Sequence, residues 1–278
     1  MPICLRFKYI NLYNRNEKWY NKLITAKRKI EMEEFRKEYL GSGITAFVSQ
    51  AHSFGTDAVL LADFASPSKR AVCCDLGSGC GIIPLLWCKK ETGKITAVEI
   101  QPLGVKQIET AIEFNALSEK LTAVNADLKE LKGVVPFGCF DVVTMNPPYK
   151  ANGAGIESSS NADRIARHET MCALSDICHT AKKLLNFGGR LCMCIRPERL
   201  AELICEMHSA GLEPKRMKLV SKCPGKSPWL VLIEGRNGGK CGMTVEPELF
   251  VHGADGGYSD EMKKIYGDYL LENRGENT

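Results

Sequence analysis

The chain has 278 residues, 44% of them hydrophobic and 25% charged, with 37 Lys/Arg against 33 Asp/Glu. That is enough material for one large α/β domain around a single core. No apolar run approaches the roughly 20 residues that a membrane helix needs. The first residues carry Arg6 and Lys8 without a continuous apolar stretch, which does not match a secretory leader. Thirteen cysteines form no Cys-x-x-Cys, and several sit in apolar segments such as Leu191-Cys192-Met193-Cys194-Ile195. They read as small hydrophobes in a reducing cytoplasm, where the protein is expected to work. The five histidines are scattered, so no metal site is expected.

Charge is uneven along the chain. Residues 1–31 hold eight Lys/Arg against two acids, a net of +6, whereas the remainder has 29 basic and 31 acidic residues. Residues 1–40 therefore read as a basic arm and 41–278 as the domain that carries the chemistry. Two accounts of the arm stand side by side. It grips RNA phosphates, with Trp19 and Tyr20 adding stacking surface. Or Lys27-Arg28-Lys29-Ile30-Glu31 is the translation of a purine-rich ribosome-binding sequence and the native start is Met32.

In chain order, residues 32–39 read as a short amphipathic helix or arm, and 50–65 as a turn followed by a helix. Ala71-Val72-Cys73-Cys74 is a small strand leading into Asp75-Leu76-Gly77-Ser78-Gly79-Cys80-Gly81, with a helix beginning at Ile82. Residues 94–100 read as a strand, 102–115 as a helix, and 121–127 as another strand. Phe140 to Met145 form a buried strand that ends in Asn146-Pro147-Pro148-Tyr149. A Gly/Ser-rich loop over 151–161 comes next and could order over a substrate. Then come a helix over 175–186, a Gly188-Gly189 turn, a strand over 190–195 and a helix over 198–210 that stops at Gly211. Strands over 215–221 and 229–233 complete the pattern. The alternation predicts a parallel sheet with helices on both faces.

Polar residues stand at four successive strand ends: Asp75, Glu99, Asp127 and Asn146. Strand, glycine turn and helix make a nucleotide-type pocket at the carboxyl edge of a parallel sheet. Gly77 and Gly79 let the backbone approach a ligand, and Gly81 allows close helix–strand packing. Asp75 precedes the glycines, where a carboxylate repels a pyrophosphate but suits an amino group. Glu99, 24 positions on, is placed for ribose hydroxyls. Asp127 is placed to accept from an adenine amino group. In Asn146-Pro147-Pro148-Tyr149 the two prolines hold the Asn146 side chain and the Pro147 carbonyl in one place. Two acceptors beside an aromatic ring suit a planar NH₂.

These motifs resemble the Rossmann-like, class I S-adenosylmethionine-dependent methyltransferases, in which Asn-Pro-Pro-Tyr marks enzymes that methylate a planar amino or amide nitrogen. The segment from His52 through Gly55-Thr56-Asp57 to Ala62 resembles the cofactor-covering element of the valine-tRNA adenine-N6 methyltransferases. Arg164-Ile165-Ala166-Arg167-His168-Glu169 is similar to an element of that family, as is the tail: Leu232-Ile233-Glu234-Gly235 through Gly238-Gly239-Lys240, then Tyr258-Ser259 and Tyr266-Gly267. The resemblance implies a mostly parallel seven-stranded sheet whose last strand inserts antiparallel. It implies S-adenosylmethionine as cofactor, held by Thr56, Asp57, Asp75 and the Gly77, Gly79 and Gly81 turn. Glu99 with Ile100, Asp127 with Leu128, and Asn146 complete that site. Asn146, Pro147, Pro148 and Tyr149 would be catalytic. Lys150, Arg164, Arg167 and His168 would contact the anticodon loop of tRNA. A monomer without metal or membrane association is expected.

Three rivals stand beside this reading. Release-factor glutamine methyltransferases share the Asn-Pro-Pro-Tyr device but carry a longer helical front and lack the Arg167-His168 element. DNA adenine methyltransferases need a target-recognition region for which too few residues remain. The third rival, a degenerate RNA-binding fold, conflicts with the intact Asp75, Glu99, Asp127 and Asn146. Basic residues Lys215, Arg216, Lys218 and Lys222 form a weaker candidate RNA surface.

Overall fold

The computed structural model describes residues 35–50, 52–90, 92–147 and 173–272. The chain divides into two compact units, 1–37 and 38–278. Residues 1–31, Pro148, Tyr149, Lys150, the 151–161 loop, Arg164, Arg167 and His168 lie outside the described residues.

Strand β1 (Arg36–Gly41) pairs with β2 (Ile44–Val48) in a two-stranded sheet. A short helix over 32–39 is thus not what the described part forms. Gly41, Ser42 and Gly43 take φ of 87°, 54° and 77°, a left-handed run that reverses the chain into a hairpin. All five residues of β2 are buried. The Asn115 side chain both accepts from Thr45 N–H (2.9 Å) and donates to Thr45 C=O (2.7 Å), tying β2 to the end of a neighbouring helix.

Helix α1 (Thr56–Ala65) leads to β3 (Cys73–Leu76), α2 (Ile82–Cys88), β4 (Ile95–Glu99), α3 (Pro102–Phe114) and β5 (Leu121–Asn125). There follow β6 (Phe140–Met145), α4 (Leu174–Leu184), β7 (Leu185–Ile195), α5 (Leu200–Ser209), β8 (Leu212–Ser221) and β9 (Leu230–Asn237). Short pieces close the chain: β10 (Thr244–Val245), β11 (Leu249–Phe250), α6 (Asp260–Tyr266) and α7 (Tyr269–Glu272).

The main sheet runs β10-β8-β9-β7-β6-β3-β4-β5, with β11 also on β8. Strands β5, β4, β3, β6 and β7 pair in parallel, while β9 inserts antiparallel between β7 and β8. Those seven strands are the mostly parallel sheet expected; β10 and β11 extend its β8 edge by two residues each. The reversal of connection at β3, from β4 on one side to β6 on the other, opens a crevice at the carboxyl ends of these strands. The core packs fully buried Leu76, Phe140, Val143, Leu191 and Ile233 against helix residues such as Ile177 and Leu203. No helix among the described residues is long and apolar enough to cross a membrane.

The expected Gly188-Gly189 turn appears as an irregularity within β7. Phe140 pairs with Leu185, yet Val142 already pairs with Arg190. Gly188 at φ 82° absorbs the excess chain.

Candidate active site

The floor of the crevice is the turn after β3. Gly77, Gly79 and Gly81 take φ of 62°, 56° and 81°, where L side chains are strained. They differ in what surrounds them. A Cβ at Gly81 would stand 2.8 Å from Ile108 of α3, so this glycine lets two helices and a strand close up. A Cβ at Gly79 would meet nothing within 4 Å, leaving its backbone open to the crevice.

Asp75 lies one layer below. It is 1% exposed, and its two oxygens accept from Ser78 Oγ (2.5 Å) and Thr144 Oγ1 (2.7 Å). Burial, with a smaller push from Glu99, raises its carboxyl to about 7 against the pull of those two hydroxyls. The residue expected to receive an amino group is thus placed as a strut between the glycine turn and β6, not as a lining group.

Glu99, at the tip of β4, is 5% exposed and accepts from Gly79 N–H (2.7 Å) and Gln101 N–H (2.8 Å). It brackets the glycine turn to the neighbouring strand end, and each oxygen retains a further lone pair. Ile100 beside it is 44% exposed, an apolar surface at the crevice rim. Asn125 holds that rim by donating to the Glu99 (2.9 Å) and Ile100 (3.0 Å) carbonyls. Asp127 caps a short 3₁₀ turn, Leu128–Glu130, by accepting from Lys129 N–H (2.9 Å), and Leu128 is buried. One Asp127 oxygen is therefore engaged in local structure.

Asn146 stands at the end of β6. Its Nδ2 donates to Asp57 Oδ2 at 3.0 Å, and its Oδ1 accepts from the Cys194 thiol at 3.0 Å. A carboxylate offers only acceptors, so the amide orientation is determined by its partner. Asp57 sits in the first turn of α1, where the helix N-terminus favours negative charge. Gly55 makes room for it, since a Cβ there would lie 2.6 Å from Asp57 Oδ1. Thr56 bonds Tyr266 across 3.0 Å between hydroxyls. Pro147 is buried behind Asn146.

The family-like tail acts from outside this centre. Tyr266 packs on Tyr258 (5.2 Å) and Tyr269 (5.6 Å), and Ser259 caps α6 by accepting from Met262 N–H. Glu234 is 6% exposed and accepts from both Arg190 (3.1 Å) and Arg216 (2.9 Å). Arg216 also bonds Glu246, and Lys218 pairs with Glu246 and Glu261. Two of the four basic residues expected to touch RNA, Arg216 and Lys218, are thus engaged in ion pairs, and Lys215 donates to the Lys240 carbonyl. Thr144, Asn125 and Cys194 carried no signal in the sequence, because each acts through a partner remote in the chain; Ser78, inside the glycine motif, acts on Asp75 three positions before it. The one clue was period-two register, which sets Met145 opposite Met193 and so brings Cys194 to Asn146.

The model of the methyltransferase small domain matches residues 45–208. The chain belongs to the methyltransferase small domain family. A relative named tRNA1(Val) (adenine(37)-N6)-methyltransferase, from Histophilus somni strain 129Pt, is 30% identical over 228 residues, covering 80% of this chain and 91% of that protein. A protein of the same name from Porphyromonas gingivalis strain ATCC 33277 is 25% identical, covering 76% and 86%. Among solved structures, a predicted O-methyltransferase, protein Atu636 from Agrobacterium tumefaciens, aligns with a TM-score of 0.61 at 21% identity over 77% of this chain and 97% of that one. That likeness bears on fold alone, and it is the class I methyltransferase fold.

As a methyltransferase of this class, the chain uses S-adenosylmethionine as methyl donor. The crevice fits such a group. It offers an open backbone cradle at Gly79, an apolar rim at Ile100 and a buried carboxylate, Glu99, between them. His52 Nδ1 is a buried atom without a hydrogen-bond partner. A Cβ at Gly104 would crowd it at 2.9 Å, along with the Gly79 carbonyl at 2.7 Å. A polar atom is thereby left unsatisfied close to the glycine turn.

Proposed function

We propose that this methyltransferase methylates the exocyclic N6 of an adenine in a tRNA anticodon loop, in the cytoplasm, with adenine 37 of valine tRNA as the target. The names of its relatives support the substrate. The observation that carries the chemistry is the Asn146 amide, held between Asp57 and Cys194 at the mouth of the glycine crevice.

Gly77, Gly79 and Glu99 would hold the methionine and ribose portions of S-adenosylmethionine, with Ile100 against its adenine and Thr56 and Asp57 covering it. Asp75 would act from beneath, by keeping the turn in shape. When bound, the cofactor supplies an electrophilic methyl group on a sulfonium.

Adenine's amino lone pair is delocalised into its ring, so the amine is a weak nucleophile. The Asn146 amide oxygen and the Pro147 carbonyl would accept the two N6–H bonds and localise that lone pair on nitrogen. Asp57 assists by holding Nδ2, which turns the amide oxygen away from itself. The N6–H of the substrate would approach that oxygen beside the Cys194 thiol, which donates to it. Catalysis then rests on positioning and electrostatics. Tyr149 would stack on the base once it has left the loop, and Lys150, Arg164, Arg167 and His168 would take loop phosphates.

Mass spectrometry of anticodon-loop fragments from a deletion strain tests this directly. Loss of one N6-methyladenine, restored by the wild-type gene and not by Asn146→Ala, is the expected result. Intact tRNA methylation alongside an unmethylated release-factor glutamine would overturn it.

A further inference from the structure

Helix α1 begins without a side-chain cap. Gly55 at its N-cap has no side chain to accept from the first-turn amides. The same turn borders a void: Gly55, Thr56 and Asp57 line a cavity of about 370 Å³, with Trp229 and His252 elsewhere in its wall. An uncapped first turn beside a void is the part of a helix most prone to fray. Yet Asp57, in that turn, meets Asn146 at hydrogen-bond distance. Something must hold the turn in place.

Two aromatic residues of the tail grip it from either side of Gly55. Before the glycine, the Phe54 ring meets Tyr269 edge-on at 6.4 Å. After it, the Thr56 and Tyr266 hydroxyls share a hydrogen bond of 3.0 Å across 210 positions of chain. Tyr266 is itself well fixed. It is 8% exposed, and its ring packs on Tyr258 (5.2 Å) and Tyr269 (5.6 Å). Tyr258 in turn is stacked on His252 at 5.5 Å, with the rings 9° from parallel. The start of α6 is tied to the main sheet. Ser259 N–H donates to the Val251 carbonyl (3.0 Å), and Val251 N–H donates to the Ser221 carbonyl at the end of β8 (2.9 Å). The Tyr266 hydroxyl therefore connects the antiparallel edge of the sheet to the first turn of α1.

We infer that Tyr266 is a positioning residue for methyl transfer: through Thr56 it seats the first turn of α1, so that Asp57 holds the Asn146 amide. This role rests on the reading of Asn146 as the reactive amide and extends the site to the carboxyl-terminal tail. Tyr266 need touch no reacting atom. Thr56 and Asp57 are neighbours in one helical turn, so a shift of the first displaces the second. The path from tail to amide is two hydrogen bonds and one peptide link.

Two variants remove the contact with little change of shape: Tyr266→Phe deletes the ring hydroxyl, and Thr56→Val deletes its partner. Selective nitrogen-15 labelling of asparagine reads the Asn146 side-chain N–H signals, identified by their loss in Asn146→Ala. With S-adenosylhomocysteine saturating the cofactor crevice, those signals in Tyr266→Phe should move towards their positions in Asp57→Ala. Unchanged side-chain signals of Asn115, which is bonded to Thr45, show that the variant is folded. With tRNA, kcat should fall about fivefold, the worth of one net hydrogen bond, while KM for tRNA is unchanged. In a Thr56→Val background, Tyr266→Phe should cost nothing further, because the bond is already gone. A tyrosine that only stabilises the tail leaves the Asn146 signals where they are. Unmoved Asn146 signals, an unchanged kcat, or an equal loss in both backgrounds would each overturn the inference. The labelling experiment involves no methyl transfer. Shifted Asn146 signals without tRNA methylation thus refute the proposed target alone, and tRNA methylation with unmoved signals refutes the positioning role alone.

Discussion

Asp57 and Asn146, 89 positions apart, meet through a 3.0 Å hydrogen bond in which the amide donates to the carboxylate. The first turn of α1 and the end of β6 are therefore one device. The residue expected to serve the cofactor also dictates which way the Asn146 amide, proposed as catalytic, faces. Asp57→Ala removes that constraint, and its kcat is expected to fall about 10²-fold, the cost of a misplaced reacting group. Single-turnover kinetics with saturating cofactor reads it. A loss confined to cofactor KM would show that Asp57 serves binding only.

The glycine turn makes two separable demands. Gly81→Ala meets both a left-handed backbone and the Ile108 side chain, so it should cost about 2–4 kcal/mol of stability. Gly79→Ala has open space around its Cβ and should cost only about 1–2 kcal/mol. The second variant, however, fills the cradle and should lose cofactor affinity out of proportion to stability. Urea unfolding and calorimetric titration with S-adenosylhomocysteine, run on both variants, distinguish the two effects.

Burial raises the Asp75 carboxyl from the ordinary 3.8 to about 7. The native state therefore binds this proton more tightly than the unfolded chain does. The stabilisation is complete below about pH 4 and is lost as pH rises through 7, a change on the order of 4 kcal/mol. Asp75→Asn keeps a neutral group at the site and should flatten that part of the pH–stability curve. Urea midpoints between about pH 4 and 8 measure it; parallel curves for the two proteins would show that Asp75 titrates normally.

Glu234 neutralises Arg190 and Arg216 at once in a nearly closed environment. Glu234→Ala leaves both cations without that partner and is expected to cost about 3 kcal/mol. Arg190 and Arg216 also donate to the Ser66 and Phe64 carbonyls, so the loss should spread to the end of α1. Thermal unfolding reports the first effect. Faster hydrogen exchange at the α1 carboxyl end reports the second.

Much of this molecule is local in origin. Alternating apolar strands and amphipathic helices specify a parallel sheet, because each pattern can bury its apolar face in only one way. Glycines at 77, 79 and 81 announce a turn that other residues cannot make. The prolines after Asn146 announce a fixed strand end by the same backbone logic. Those signals are carried by neighbours in the chain, so they survive in the sequence alone. Only the fold decided which neighbours each acid bonds. Asp75 looked like a lining group and became a buried strut, since Ser78 and Thr144 close over it from two different segments. Glu99 also clasps the Gly79 amide, and Asp127 also caps a turn. The cavity lined by Arg196, Lys222, Trp229 and His252 is spread over several stretches, and of these four the sequence singled out Lys222 alone. Its members come from loops at separate strand ends, and the antiparallel insertion of β9 is what brings them together.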